Sequence, residues 1–260
     1  MDSVNKTLYI PLYGKAYVSR KNILLEDKTA EEIWEKEGFP LKGKSASKWL
    51  AYSMGMRAAV FDNWVRSQME KLPEAIVLHI GCGMDSRCLR VKTGERRWYD
   101  VDFPEVIRER RKYFREENGY RMLSSDMREA GWKQLIPAGE KAIVVMEGVS
   151  MYFCPEDLEG LMKSLKEHFF EVHILMDVYS TFGAKASRYK NPINDVGVTT
   201  VYGLDDPTAL ARNTGVRYVA EHSMAPLTMI AQLSPGERVV FSNLYAGKIA
   251  RKIYRLYEFA

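Results

Sequence analysis

The stretch Val77-Leu78-His79-Ile80-Gly81-Cys82-Gly83-Met84-Asp85-Ser86-Arg87 offers the most chemistry in this sequence. A short, mostly apolar run enters two glycines one residue apart, the pattern of a buried strand ending in a tight turn. Lacking a Cβ, Gly81 and Gly83 let the backbone fold sharply and come close to a ligand. Nineteen residues after Gly83 stands Asp102, in Trp98-Tyr99-Asp100-Val101-Asp102-Phe103-Pro104. An acid just beyond a second strand can accept both ribose hydroxyls of an adenosine. Glycine turn plus acid is therefore a nucleoside-cofactor signal. A dinucleotide turn carries a third glycine for close helix packing, but that position is Ser86 here. The departure favours S-adenosylmethionine over NAD, because a methyl donor brings no pyrophosphate to the helix N-terminus.

These residues need a scaffold. Residues 75–80, 97–101, 120–123, 142–146 and 172–178 read as strands. Helices are expected at 104–115 and at 155–168, where Pro155 suits the first helical position. Strands alternating with helices imply βαβ units and a mostly parallel sheet. Residues 216–220 and 253–259 read as two more strands, with Ile253, Arg255, Tyr257 and Phe259 on one face, which makes seven. Ahead of the sheet, helices are expected at 29–36 and 47–71. In the longer one Leu50, Met54, Ala58, Phe61 and Val65 recur every three to four residues. Residues 179–214 are irregular, with Gly183, Pro192, Gly197, Gly203 and Pro207, and read as an insertion over the carboxyl edge of the sheet. Ser234-Pro235-Gly236-Glu237 has capping-box spacing and opens a helix reaching about residue 247. The expected fold class is α/β: a Rossmann-like, mostly parallel seven-stranded sheet with helices on both faces. A helical cap over residues 1–72 would precede a core over 73–260, with a substrate lid at about 179–214.

Composition narrows the function classes. The 260 residues are 46% hydrophobic and 28% charged, and 38 basic against 34 acidic residues leave a mild +4. So small an excess, mixed along the chain, argues against a nucleic-acid partner. Residues 1–5 are polar with no apolar run behind them, so no signal peptide is expected. No segment reaches the roughly 18 apolar residues of a membrane span. Cys82, Cys88 and Cys154 show no metal-ligand spacing, and the four histidines are scattered. A cytoplasmic protein with reduced, buried thiols and no metal is the expectation.

Three motifs in order, Gly81-Cys82-Gly83-Met84-Asp85-Ser86-Arg87, Tyr99-Asp100-Val101-Asp102-Phe103-Pro104 and Met146-Glu147-Gly148-Val149-Ser150-Met151-Tyr152-Phe153, resemble one family. It contains the leucine carboxyl methyltransferases and the tetracenomycin-type polyketide O-methyltransferases, class I enzymes that use S-adenosylmethionine. The resemblance spans residues 9–170. It implies that Gly81 and Gly83 lie against the methionine part of the cofactor and that Asp102 holds the ribose. It also implies that Asp126 and Met127 contact the adenine and that Glu147 faces the cofactor. Arg57, in Met54-Gly55-Met56-Arg57-Ala58-Ala59, matches a family arginine for the cofactor carboxylate, and Lys15 resembles a second such base. Ala59 stands where the family commonly has another arginine.

The implied function is O-methylation of a carboxylate or hydroxyl on a small molecule, releasing S-adenosylhomocysteine. A carboxylate nucleophile needs no base, whereas a hydroxyl usually does. Tyr152 and His222 are the candidates for a catalytic group. His79 reads as core, and His168 and His173 as surface. Tyr13, Tyr17, Tyr179, Arg188, Tyr189 and Tyr202 are candidate substrate contacts, since tyrosines suit an aromatic or amphipathic acceptor. The alternatives are methylation of a protein C-terminus, an NAD-dependent oxidoreductase, and a non-catalytic nucleoside-binding module.

Overall fold

The computed structural model describes residues 8–38, 41, 43–190 and 200–260, without the side chains of 43, 44, 188–190, 248, 249 and 251. Three helices come first: α1 (Tyr9–Arg20), α2 (Lys28–Glu37) and α3 (Lys48–Lys71). Each of the latter two starts where a side chain satisfies a free backbone N–H. Asp27 accepts from Ala30 at 2.9 Å and Ser47 from Leu50 at 3.4 Å. Gly38, at φ +58°, closes α2.

The sheet has seven strands: β1 (Ile76–Ile80), β2 (Trp98–Asp102), β3 (Tyr120–Ser124), β4 (Lys141–Met146), β5 (Glu171–Tyr179), β6 (Tyr218–His222) and β7 (Tyr254–Phe259). Their order is β3-β2-β1-β4-β5-β7-β6. The first five are parallel, and β7 runs antiparallel between β5 and β6. Side chains alternate between the two faces. Ile76, Leu78 and Ile80 join Val144 and Met146 in a core closed by α6 (Pro155–His168). Val77 and Val145 join the opposite core, closed by Leu12 of α1 and by Phe61 and Val65 of α3. Both faces are covered, which is why these strands read as unbroken apolar runs.

Two short helices follow the first strands, α4 (Arg87–Arg90) after β1 and α5 (Pro104–Arg110) after β2. The helix expected to reach residue 115 stops at Arg110, whose buried guanidinium binds Asp100, the Gly83 carbonyl and the Tyr120 hydroxyl. After β5 come α7 (Thr181–Lys190) and α8 (Pro207–Thr214); residues 191–199 of the expected lid, with Pro192 and Gly197, lie outside the described residues. Between β6 and β7 are α9 (Leu227–Ile230), α10 (Pro235–Leu244) and α11 (Lys248–Ile253). Met229, Ile230, Leu233 and Phe241 from this stretch pack on Val18, Tyr52 and Met56 of α1 and α3.

Some expectations need correcting. The capping box at α10 does not close on the backbone. Ser234 Oγ instead bonds Glu237 Oε2 at 2.8 Å, because Glu237 is drawn to Lys48 and Tyr52 of α3. His168 is buried against Trp132 and Phe169, bonded to the Ile136 carbonyl at 2.9 Å. Among the described residues no helix is long and apolar enough to cross a membrane.

Candidate functional site

Parallel strands bring all their carboxyl ends to one rim, where ligands bind in such sheets. At that rim β1 turns at Gly81 (φ +66°) and Gly83 (φ +51°), both in the left-handed region. A Cβ on Gly81 would sit 2.5 Å from Val149 Cγ2, and one on Gly83 2.8 Å from Leu8 Cδ2. Gly81 is required by space as well as by φ, and Gly83 by φ.

Two cavities meet at this turn. The larger, about 650 Å³, opens between Arg57, Gly81, Glu147, Tyr152, Tyr179 and Tyr254, and Lys15 and Gly83 also line it. The smaller, about 120 Å³, is bounded by Asp102, Phe103, Asp126, Met127 and Val149. Leu8, Gly81, Gly148 and Tyr152 border both. Together they make one cleft that runs past the glycine turn.

Asp102 ends β2 facing the smaller cavity. Oδ2 accepts from Gly83 N–H and Oδ1 from Phe103 N–H, each at 2.8 Å. Desolvation by burial outweighs these bonds and lifts its pKa to about 6. Across the cavity Asp126 is gripped by Arg128 at 2.9 and 3.0 Å, while Met127 is buried beside it. So Asp126 borders the smaller cavity with its carboxylate already engaged by a cation.

Under the larger cavity lies a buried ionic network that the sequence does not announce. Glu147, at the end of β4, accepts from Arg57 Nε at 3.0 Å and also pairs with Arg87 Nη2. Arg87 further holds Asp62 of α3 at 2.8 Å and Asp85 at 3.3 Å. Arg90 joins Asp27, Asp62 and Asp85, each at 2.7 Å. Lys15 reaches Asp85 at 3.3 Å. The cations Arg87 and Arg57 overcome the desolvation of Glu147 and hold its carboxyl down at about 2. Asp177 of β5 accepts from Arg57 Nη1 at 3.0 Å and from Gly148 N–H at 2.6 Å. The network straps α1, α2 and α3 to the glycine turn and to the ends of β4 and β5.

Thus the structure gathers Lys15, Arg57, Gly81, Gly83, Asp102, Asp126, Met127, Glu147, Tyr152 and Tyr179 around one cleft. Other candidates stand apart. Tyr13 donates to the Ala46 carbonyl at 3.0 Å and packs on Trp34; Tyr17 packs on Tyr13 and Tyr52. Neither lines the cleft, because α1 turns them toward α2 and α3. Tyr202 borders a separate hollow beside α8. His222 is paired with Glu258 between β6 and β7 and lines neither cavity. The backbone of Arg188 and Tyr189 closes α7, and their side chains lie outside the described residues. His79, read as core, is buried as expected, yet it also borders the larger cavity, and desolvation lowers its pKa.

Sequence reading passed over Asp62, Asp85, Arg87, Arg90, Asp177, Tyr245 and Tyr254. One signal was available for Asp177: a lone acid inside an apolar strand must find a partner. Arg87 and Arg90, placed straight after a glycine turn that buries its own helix, carried a similar one. Tyr245, from the stretch between β6 and β7, and Tyr254, the first residue of β7, also line the larger cavity.

Adenosine needs a flat apolar slot with an acid at its ribose end, and the smaller cavity offers Phe103, Met127 and Asp102. The methionine part needs room at the turn and cations near its carboxylate. The missing Cβ atoms of Gly81 and Gly83 give the room, and Arg57 and Lys15 are the cations. The donor set therefore fits S-adenosylmethionine. Among the described residues no group of three or more His, Cys, Asp or Glu is placed to hold a metal.

Comparison with known proteins agrees. The family model "Leucine carboxyl methyltransferase" matches residues 10–166. The chain is 27% identical over 263 residues to the tetracenomycin polyketide synthesis O-methyltransferase TcmP of Streptomyces glaucescens, covering 100% of this chain and 97% of that one. It is 26% identical over 244 residues to the S-adenosyl-L-methionine-dependent methyltransferase dpfgK of Gibberella zeae, covering 84% and 81%. The fold is shared with magnesium protoporphyrin IX methyltransferase (ChlM) of Synechocystis, solved with S-adenosylhomocysteine bound. There the TM-score is 0.53 at 11% identity, over 89% of this chain and 93% of that one. With well over half its length matched, the chain belongs to the leucine carboxyl methyltransferase family and is a class I S-adenosylmethionine-dependent methyltransferase.

Proposed function

We propose that the protein methylates an oxygen of a small, largely apolar molecule, and a carboxylate in preference to a hydroxyl. The carrying observation is the state of the acids at the larger cavity. Asp85 and Glu147 are both committed to buried cations, so neither is poised to take a proton. A carboxylate acceptor is already ionised and asks for no base. The family name points the same way, and the name of TcmP supports a polyketide-like acceptor.

When bound, S-adenosylmethionine supplies an electrophilic methyl on a sulfonium. The protein supplies position. Asp102 would hold the ribose, Met127 and Phe103 would pack on the adenine, and Arg57 and Lys15 would anchor the carboxylate of the methionine part. The acceptor lies over Tyr152, Tyr179, Met151 and Ile253. Holding the reacting atoms in line is worth about 7–11 kcal/mol to such a displacement.

Incubating the protein with methyl-labelled S-adenosylmethionine and a cell extract tests this reading. Label should enter a small molecule and return as methanol after mild alkali, the behaviour of an ester. Alkali-stable label marks a hydroxyl acceptor, and label on protein overturns the small-molecule reading. Calorimetry should show binding of S-adenosylhomocysteine and none of NAD.

Gly148 gives a smaller, local check. It sits at φ +70°, and a Cβ there would lie 3.2 Å from Arg57 Nη2. Gly148→Ala must bear left-handed strain of about 1–2 kcal/mol and crowd the guanidinium. A roughly fivefold loss of S-adenosylhomocysteine affinity is expected by calorimetry.

A further inference from the structure

Because β7 is antiparallel, its first residue, not its last, lies on the rim where the parallel strands end. Tyr254 stands there opposite Tyr179 of β5, two residues beyond Asp177. Tyr254 Oη donates to Asp177 Oδ2 and accepts from Arg57 Nη1 at 3.1 Å. The same Nη1 donates to Asp177 Oδ2 at 3.0 Å. Asp177 is itself pinned, since its Oδ1 takes the Gly148 N–H at 2.6 Å and Ser150 Oγ bonds its carbonyl. Glu147 holds the Nε side of the guanidinium. Three acceptors from three strands thus fix the plane of a planar, forked cation, and its Nη2 lies over Gly148, which lines both cavities.

We propose that Tyr254 and Asp177 are positioning residues for the amino-acid end of the cofactor. They lock Arg57 so that its Nη2 edge is presented across Gly148 to the cofactor carboxylate. This rests on the reading of Arg57 as the carboxylate-binding group. The polarity of the bonds fits the role. The Tyr254 proton is given to Asp177 and one lone pair is taken by Arg57, so the phenol acts as a brace between the two. Asp177 is fully buried and meets the cavity through the residues it bonds, Arg57, Gly148 and Tyr254. Without the Tyr254 hydroxyl, Arg57 Nη1 keeps one acceptor instead of two, and the fork can tilt out of the plane that a bidentate carboxylate contact demands.

The test compares two ligands that differ at the relevant end. S-Adenosylhomocysteine carries the amino-acid carboxylate, whereas 5′-methylthioadenosine lacks it. Tyr254→Phe keeps the ring and removes only the brace. Calorimetry should show it weakening S-adenosylhomocysteine about fivefold while 5′-methylthioadenosine changes less than twofold; Asp177→Asn should act in the same direction. A purely structural role weakens both ligands alike and overturns the proposal, as does unchanged binding of both. Arg57→Met separates the two levels. If it fails to discriminate the ligands, the reading of Arg57 falls. If it discriminates and Tyr254→Phe does not, only the positioning role falls.

Discussion

Replacing Arg87 with Met is expected to cost about 3–5 kcal/mol of stability, the range for removing one partner of a buried ion pair. Arg87 is fully buried and stacks on Phe61, so Met can fill much of its volume. What Met cannot do is answer Asp62, Asp85 and Glu147 together. Arg90 still serves Asp62 and Asp85, and Arg57 still serves Glu147, which sets the lower end of the range. For a chain of this size the melting temperature should fall by roughly 6–20 °C. The pH dependence carries the signature. In the wild type Glu147 titrates at about 2, below its usual 4.5. Its pairing therefore stabilises the fold above pH 4.5 and is lost as pH falls through 2. In Arg87→Met the orphaned acids gain affinity for protons, so the deficit should be largest at neutral pH and shrink toward pH 4. A deficit equal at both pH values would mean lost packing rather than lost charge.

The contrast between Gly81 and Arg87 shows what one sequence can disclose. Gly81 is legible because a single atom decides the matter: no side chain fits beside Val149 at that φ. Strand β1 is legible because burial on both faces leaves an apolar run. Arg87 depends on partners 25 and 60 residues away in α3 and at the end of β4, and pairing over such distances leaves no local period. The same holds for the stretch between β6 and β7. Capping-box spacing finds the helix at 234–247, but the packing of Phe241 on Tyr52 and the bonds of Glu237 to Lys48 and Tyr52 are what show that it leans on α3. Tyr13 and Tyr17 failed for a related reason: their composition suits a pocket, and the turn of α1 aims them at Trp34 and Tyr52 instead.

Asp102→Ala is expected to weaken S-adenosylhomocysteine about 100-fold. Each carboxylate oxygen has two lone pairs, and each gives one to a backbone N–H, of Gly83 or Phe103. One lone pair per oxygen is left, which matches the two hydroxyls of a ribose. Hydrogen bonds to a charged group contribute about 1.5–3 kcal/mol each, and losing two, partly replaced by water, gives the estimate. The state of the carboxyl adds a pH test. Burial has raised its pKa to about 6 from 3.8, so the native protein holds this proton more tightly than the unfolded chain does. The free protein therefore loses stability as pH rises from about 4 through 6, by about 3 kcal/mol at most. Ligand binding has the opposite slope, because only the ionised form can accept both hydroxyls. Affinity should climb between pH 5.5 and 7.5 in the wild type and stay low and flat in Asp102→Asn. A folded Asp102→Ala with wild-type affinity at pH 7.5 removes Asp102 from the ribose, and with it the orientation of the nucleoside in the smaller cavity.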